Sequence, residues 1–260
     1  MELNLAAKTA VITGASRGIG LATARTLIAE GVRVVGAART ITAELRDSGA
    51  VPVAADLSTA DGVATLMQCA FAELGGIDLL VNNVGIGDAM EPVGFLDADD
   101  ERWNDIFDLN LLSTVRVSRA ALPSLIERRG AIVNVSSINS RLPAAAPAPY
   151  SAAKAALTAL GKSLAEEFGP RGVRVNTVSP GAVRTPAWED PEGFGAKVAA
   201  AFGAEHAAFL KQIPEAFGMT TGRITEPEEV ASLIAFLLSD VAGNITGADY
   251  VIDGGTLKVV

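Results

Sequence analysis

One cysteine and one histidine among 260 residues exclude several kinds of chemistry at once. Cys69 has no partner for an internal disulfide and reads as a small residue packing a helix. His206 would have to serve any Ser-His-Asp triad, yet no nucleophile elbow accompanies it, and no His/Cys cluster of the metal-binding kind is present, so no metal is expected. It falls in the helical pattern 195–211 and reads as a helix-surface side chain, with a substrate contact as the alternative. Long apolar runs are missing too. Nothing approaches the roughly 18 consecutive apolar residues of a membrane span. Residues 1–8 carry an acid and no extended apolar stretch, which argues against a signal peptide and makes the cytoplasm the default compartment. Positive charge is in deficit, with 21 basic against 30 acidic side chains and a net charge of -9. That balance disfavours nucleic acid or an anionic membrane as partner, although local basic sites remain open. With no linker and no internal repeat, residues 1–260 read as one domain.

What is present is a recurrence of short β-branched runs at Thr9–Thr13, Val32–Ala37, Val51–Ala55, Leu79–Val84, Ala131–Val135, Val173–Val178 and Tyr250–Ile252. Longer helical patterns separate most of them. The alternation predicts an α/β fold: a single-domain, doubly wound Rossmann sheet of seven mainly parallel strands with helices on both faces. Nearly continuous hydrophobicity within the runs fits strands covered on both faces. Glycines or polar residues follow most strand ends, where ligands bind in open α/β sheets.

The first run leads into Thr13-Gly14-Ala15-Ser16-Arg17-Gly18-Ile19-Gly20, and a helical stretch from Leu21 to Ala29 follows. Glycines let the backbone turn tightly and approach a pyrophosphate, while a helix N-terminus offers unpaired amides and partial positive charge. The spacing, Gly-x-x-x-Gly-x-Gly, departs from the commoner dinucleotide fingerprint. The second run ends in Ala37-Ala38-Arg39, where such a site reads the adenosine ribose. An acid there would bind the ribose hydroxyls and repel a 2′-phosphate; small alanines followed by Arg39, with Arg17 opposite, favour NADP(H) over NAD(H). The alternative for Arg39 is a solvated surface residue. Asp56, followed by Leu57 after the third run, is a candidate acceptor for the adenine amino group or else an ordinary loop aspartate.

Tyr150 and Lys154 stand four apart at the start of a helical stretch running to about Phe168, so phenol and ammonium share a face. A neighbouring ammonium stabilises phenolate and is expected to lower the phenol pKa from about 10, readying Tyr150 for proton exchange with a substrate oxygen. An isolated Tyr-x-x-x-Lys is common on amphipathic helices. Here it is accompanied by Ser137 at the end of the fifth run, Asn82-Asn83-Val84-Gly85 after the fourth, and Asn110 in Phe107-Asp-Leu-Asn-Leu111.

In these residues, together with Pro180-Gly181 and Thr185, the whole chain resembles the short-chain dehydrogenase/reductase family in order and spacing. The departure is Val84, where the family more often has Ala. The resemblance implies an enzyme in which Tyr150 is the general acid in reduction and the base in oxidation. Ser137 would hydrogen-bond the substrate oxygen, Lys154 would also hold the nicotinamide ribose, and Asn110 would fix a water linking Lys154 to solvent. Asn83 and Gly85 would flank the cofactor riboses, and Val183 with Thr185 would contact the carboxamide. Two donors aimed at the substrate oxygen would stabilise the charge that develops there.

The expected substrate is a medium-sized, largely apolar ketone or secondary alcohol. Specificity is expected in segments 87–95 and 140–149 and in a lid at 186–221, where Trp188, Phe194, Phe202, Phe209, Ile213, Phe217 and Met219 supply apolar surface. Small residues at 142–149 should leave room near Tyr150. The resemblance also allows reduction of a 3-oxoacyl group on acyl carrier protein, for which Arg128, Arg129 and Arg171 could form a basic patch if they are not simply solvated. A non-catalytic NADP(H) sensor is a further alternative. A homotetramer is implied by the family, with helices near Asn104–Arg119 and Tyr150–Phe168 and the C-terminal segment as interfaces.

Overall fold

The computed structural model describes residues 2–86, 90–143 and 146–259. Seven strands, β1 (Thr9–Thr13), β2 (Arg33–Ala38), β3 (Val51–Ala54), β4 (Leu79–Asn82), β5 (Ala131–Val135), β6 (Arg174–Pro180) and β7 (Asp249–Ile252), form one sheet. Their order is β3-β2-β1-β4-β5-β6-β7, and every pairing is parallel. Because side chains alternate along a strand, Ala10 and Ile12 enter one core while Val11 enters the other. The first core lies under α1 (Gly18–Ala29) and the helix Pro227–Leu238. The second is closed by α3 (Ala60–Leu74), which follows the short α2 (Ala43–Arg46), and by the helices Ser113–Glu127 and Ala148–Phe168. Fully buried side chains such as Leu66, Leu80 and Ile132 each stabilise the fold by about 1.5–3 kcal/mol. Cys69 packs against this second core from α3.

After β4 come α4 (Asp100–Phe107), a π turn at Asp108–Leu112 and α5 (Ser113–Glu127); α6 (Ala148–Phe168) follows β5. After β6, α7 (Pro186–Glu189), α8 (Phe194–Ala201) and α9 (His206–Ala216) precede α10 (Pro227–Leu238). Strand order reverses between β1 and β4, which opens a crevice at the carboxyl ends of the strands.

Several element ends differ from the sequence expectation, and three of the differences have a visible cause. Strand β4 stops at Asn82 because the Thr13 hydroxyl accepts the N–H groups of Asn83 and Val84, drawing the chain out of the ladder. Strand β6 runs on to Pro180 because β7 pairs with its last residues. The pattern at 195–211 is two helices. Phe202 and Gly203 fold back onto α8, Gly203 turning at φ +67°, and the Glu205 carboxylate caps α9 by accepting from Ala207 and Ala208.

Candidate active site

The turn from β1 into α1 is built to receive an anion. Gly14 and Gly18 adopt φ +68° and +55°, a region that side chains disfavour. Arg17 takes the N-cap position with no side-chain cap, and no acid occupies the first turn of α1. By contrast, α2 and α3 are capped by the hydroxyls of Thr42 and Thr59. The open amides and the helix dipole therefore face the crevice. Gly20 is excluded from that surface: a Cβ there would lie 2.1 Å from the Gly14 carbonyl oxygen, so the glycine permits close packing of loop on helix. Asn83 closes the loop from the side, its amide donating to the carbonyls of Thr13 and Gly14 at 3.0 and 3.1 Å. Thr42 ties α2 to the loop through a 2.9 Å bond to the Ser16 carbonyl, which brings the end of β2 beside it.

A single cleft of about 510 Å³ joins these parts. Gly14, Ser16, Arg17, Gly18, Ile19, Arg39, Leu57, Asn83, Gly85, Ser137, Tyr150, Lys154, Pro180, Gly181, Val183 and Thr185 line it. An elongated dinucleotide fits such a cradle: glycine backbone at one end, exposed Arg17 and Arg39 near it, and hydroxyl, phenol and ammonium at the other. Asp56 does not line the cleft. Its Oδ1 accepts from the Ser58 N–H and hydroxyl, and these bonds, ahead of the Arg39 charge, hold its carboxyl below the usual range.

At the far end, Pro147 and Pro149 start α6, placing Tyr150 in its first turn and Lys154 one turn on. The Lys154 Nζ lies 5.8 Å from the Tyr150 ring centroid and donates to the Val135 carbonyl at 2.9 Å. Burial pulls the ammonium down to about 8. The same burial pushes the Tyr150 phenol above its ordinary value, and Ser137 offsets this only in part. The expected lowering of the phenol by Lys154 is thus not produced by the protein groups alone. Desolvation sets the shift, and the ammonium, itself destabilised and committed to a carbonyl, does not offset it.

Asn110 is fully buried at the centre of the π turn, where the Ser113 N–H reaches back to the Asp108 carbonyl. It donates to the Ile106 carbonyl at 2.8 Å and accepts from the Ile86 N–H at 3.3 Å. It stands behind the cleft wall: a Cβ on Gly85 would lie 3.0 Å from Asn110 Oδ1 and 3.6 Å from Lys154 Nζ. Gly85 therefore separates the two polar groups with nothing bulkier than hydrogen. A π turn that aims one side chain at a site is a recurrent use of that geometry.

Segment 186–221 has its own small core, with Phe209, Ile213 and Met219 buried and Trp188 and Phe217 packed against them. Trp188 meets Phe194 and Phe217 edge-on and also lines the cleft beside Pro186 and Ala187. His206 is half-buried, its Nε2 2.8 Å from the Trp188 carbonyl, so it fastens α9 to α7 and is no free surface residue. Phe202 stands exposed. Among the described residues, none of 140–149 lines the cleft, so the small residues expected to give room near Tyr150 are not part of its wall; Ala144, Ala145 and, in segment 87–95, residues 87–89 lie outside the described residues.

Arg128, Arg129 and Arg171 sit before β5 and β6, at the end of the sheet opposite the cleft. Arg128 pairs with Asp78 and Arg171 stacks over Phe168. Sequence reasoning passed over Thr13, Thr42, Ile86, Leu109 and Asn139. Only Thr42 carried a local signal, a threonine ahead of a short helical run.

The chain matches the family model described as enoyl-(acyl carrier protein) reductase over residues 14–256. It is 36% identical to 3-oxoacyl-(acyl-carrier-protein) reductase FabG of Vibrio cholerae, over 99% of this chain and 100% of that protein. It is 38% identical to cis-4-hydroxycyclohexanecarboxylate dehydrogenase of Sinomonas cyclohexanicum, over 98% of each. The structure of L-sorbose reductase from Gluconobacter frateurii, complexed with NADPH and L-sorbose, superposes with a TM-score of 0.91 at 32% identity, covering 100% of both chains.

Proposed function

The chain belongs to the short-chain dehydrogenase/reductase family, and from that premise we propose that it is an NADP(H)-dependent oxidoreductase acting on a ketone or secondary alcohol of medium size and apolar character. The observation that carries the reading is the meeting of Ser137, Tyr150 and Lys154 at one end of a cleft whose other end is the glycine turn. Bound cofactor supplies or accepts the hydride. Tyr150 gives its proton to the substrate oxygen in reduction and takes it back in oxidation. A phenol held above its ordinary pKa keeps that proton at neutral pH. Ser137 is the second donor to the same oxygen. Lys154 holds the nicotinamide ribose, and Asn110, across Gly85 from its ammonium, orders the water that reconnects Lys154 with solvent. Asn83, Val183 and Thr185 line the cofactor's path. Arg17 and Arg39 receive the 2′-phosphate. Segment 186–221 is the lid, with Trp188 its inner face. The homotetramer is part of this proposal, with the helices around 104–119 and 150–168 and the C-terminal segment as interfaces.

A neutral, apolar substrate is supported by the share of the cleft lining that Ile86, Leu109, Val135, Pro186, Ala187 and Trp188 supply, which brings no charge. A second reading, reduction of a 3-oxoacyl group on acyl carrier protein, is favoured by the name of the Vibrio cholerae relative. The three arginines offered for carrier docking stand at the wrong end of the sheet for it.

Titration with NADPH and with NADH, followed by turnover of a panel including cyclohexanone and ethyl acetoacetate, tests the main reading. Tighter NADPH binding is expected, with turnover that disappears in Tyr150→Phe. Tighter NADH binding removes the cofactor assignment, and turnover surviving in Tyr150→Phe removes the role given to that residue. Comparing a free 3-oxo ester with its carrier-bound thioester decides between the two substrate readings.

A further inference from the structure

Ser137 precedes a 3-10 turn at Ile138–Ser140, and its side chain is engaged by Asn139 from two directions. The Asn139 N–H donates to Ser137 Oγ at 3.1 Å, and the Ser137 hydroxyl donates to Asn139 Oδ1 at 2.9 Å. The orientation of the amide is fixed by its other end, since Asn139 Nδ2 donates to the Leu142 carbonyl at 3.3 Å and leaves Oδ1 toward Ser137. The turn is itself anchored. Ser140 Oγ donates to the Ser137 carbonyl, and Arg141 binds Asp249, whose other oxygen accepts from Ser179 beside Pro180.

A hydroxyl has one proton and two lone pairs. With the proton on Asn139 Oδ1 and one lone pair taken by the Asn139 N–H, Ser137 Oγ keeps one lone pair, which the neighbouring Tyr150 phenol can meet. A carbonyl oxygen has no proton to give and needs a donor. Ser137 can serve it only by turning its proton away from Asn139. We propose that Asn139 is a positioning residue for the reduction: it sets the direction of Ser137 Oγ and holds the hydroxyl proton until the substrate oxygen claims it. This rests on the reductase reading above.

The test is steady-state reduction of ethyl acetoacetate, or of another panel ketone that the unaltered protein turns over, in a double-mutant cycle. Asn139→Ala is expected to lower kcat about 10-fold with the NADPH KM unchanged, short of the roughly 10²–10³-fold loss of an oxyanion donor outright. In a Ser137→Ala background the same change is expected to alter kcat by less than about 2-fold, because the group it acts through is gone. Asn139→Asp should lose more than Asn139→Ala, since a carboxylate holds the serine proton in a charge-assisted bond about twice as strong. A thermal melt of each variant reads folding separately, and Asn139→Ser replaces Asn139→Ala in the cycle if the alanine variant melts early. An unchanged kcat, or the same factor lost in both backgrounds, overturns the proposal and leaves Asn139 as a turn-closing residue. Absence of turnover with every panel ketone, or full turnover by Tyr150→Phe, instead overturns the function proposed above, and this inference with it.

Discussion

Lys154 shows how a single residue can serve a site while weakening the fold. Its side chain is 3% exposed, and burial lowers its pKa from 10.5 to about 8. Between those values the unfolded chain holds a proton that the folded chain has released, so this group's contribution to stability rises with pH across that window. Below about 8 both states are protonated and the whole penalty of a buried ammonium is present. Lys154→Met, similar in length and apolar, is therefore expected to stabilise the protein at neutral pH by about 1–3 kcal/mol while abolishing turnover. The gain should shrink as pH approaches 10.5. Urea melts of both proteins across that range check the sign. A destabilised variant, or a gain that does not change with pH, refutes it. Tyr150 has the opposite sense: its raised pKa means the folded state keeps a proton the unfolded one loses, so stability falls as pH rises past the ordinary phenol value. Both residues were legible from their spacing on one helix. The direction of the phenol shift was not, because spacing reports the neighbouring charge and says nothing about how dry the site is.

The strand, turn and helix made by β1 and α1 depend on a contact that residue spacing alone cannot display. A Cβ on Gly20 would meet the Gly14 carbonyl at 2.1 Å and Asn83 Nδ2 at 2.6 Å, and both belong to backbone or hydrogen bonds that fix the loop. Gly20→Ala is expected to cost about 1–3 kcal/mol from overpacking and to weaken NADPH binding at least about 10-fold by displacing the loop. Gly75→Ala is the control: φ is +73° there, but nothing lies within 4 Å, so it should cost about 1 kcal/mol of backbone strain and leave NADPH affinity alone. Equal effects on binding from the two changes would remove the packing argument. At this scale β1 and β5 were readable to the residue, since continuous β-branched runs ended by Gly or Ser leave little choice. The end of β4 was obscured because Thr13, seventy residues away in the chain, claims its next N–H. The break between α8 and α9 was obscured because apolar residues lie on both sides of Gly203 and the period does not register a left-handed turn.

Over the whole molecule, charge acts at two ranges and in opposite directions. The chain carries a net charge of -9, which repels any anionic dinucleotide at long range. Arg17 and Arg39, exposed at one end of the cleft, attract at short range. NADPH and NADH feel the long-range field almost alike. They differ by the 2′-phosphate, of about -1.5 to -2 charges, which the proposed function places at the arginines. Because those arginines are exposed, salt screens their pairing with the phosphate, while the same salt relieves the general repulsion that both cofactors share. Raising ionic strength from about 0.02 to about 0.5 M, where the Debye length falls from roughly 20 Å to roughly 4 Å, is therefore expected to weaken NADPH binding relative to NADH by several-fold. Fluorescence titrations with both cofactors at each salt concentration give the ratio directly, and Arg39→Ala should flatten its salt dependence. A ratio that favours NADPH but ignores salt, in the unaltered protein and in Arg39→Ala alike, would mean that selectivity comes from the space left by Ala37 and Ala38, with charge playing no part.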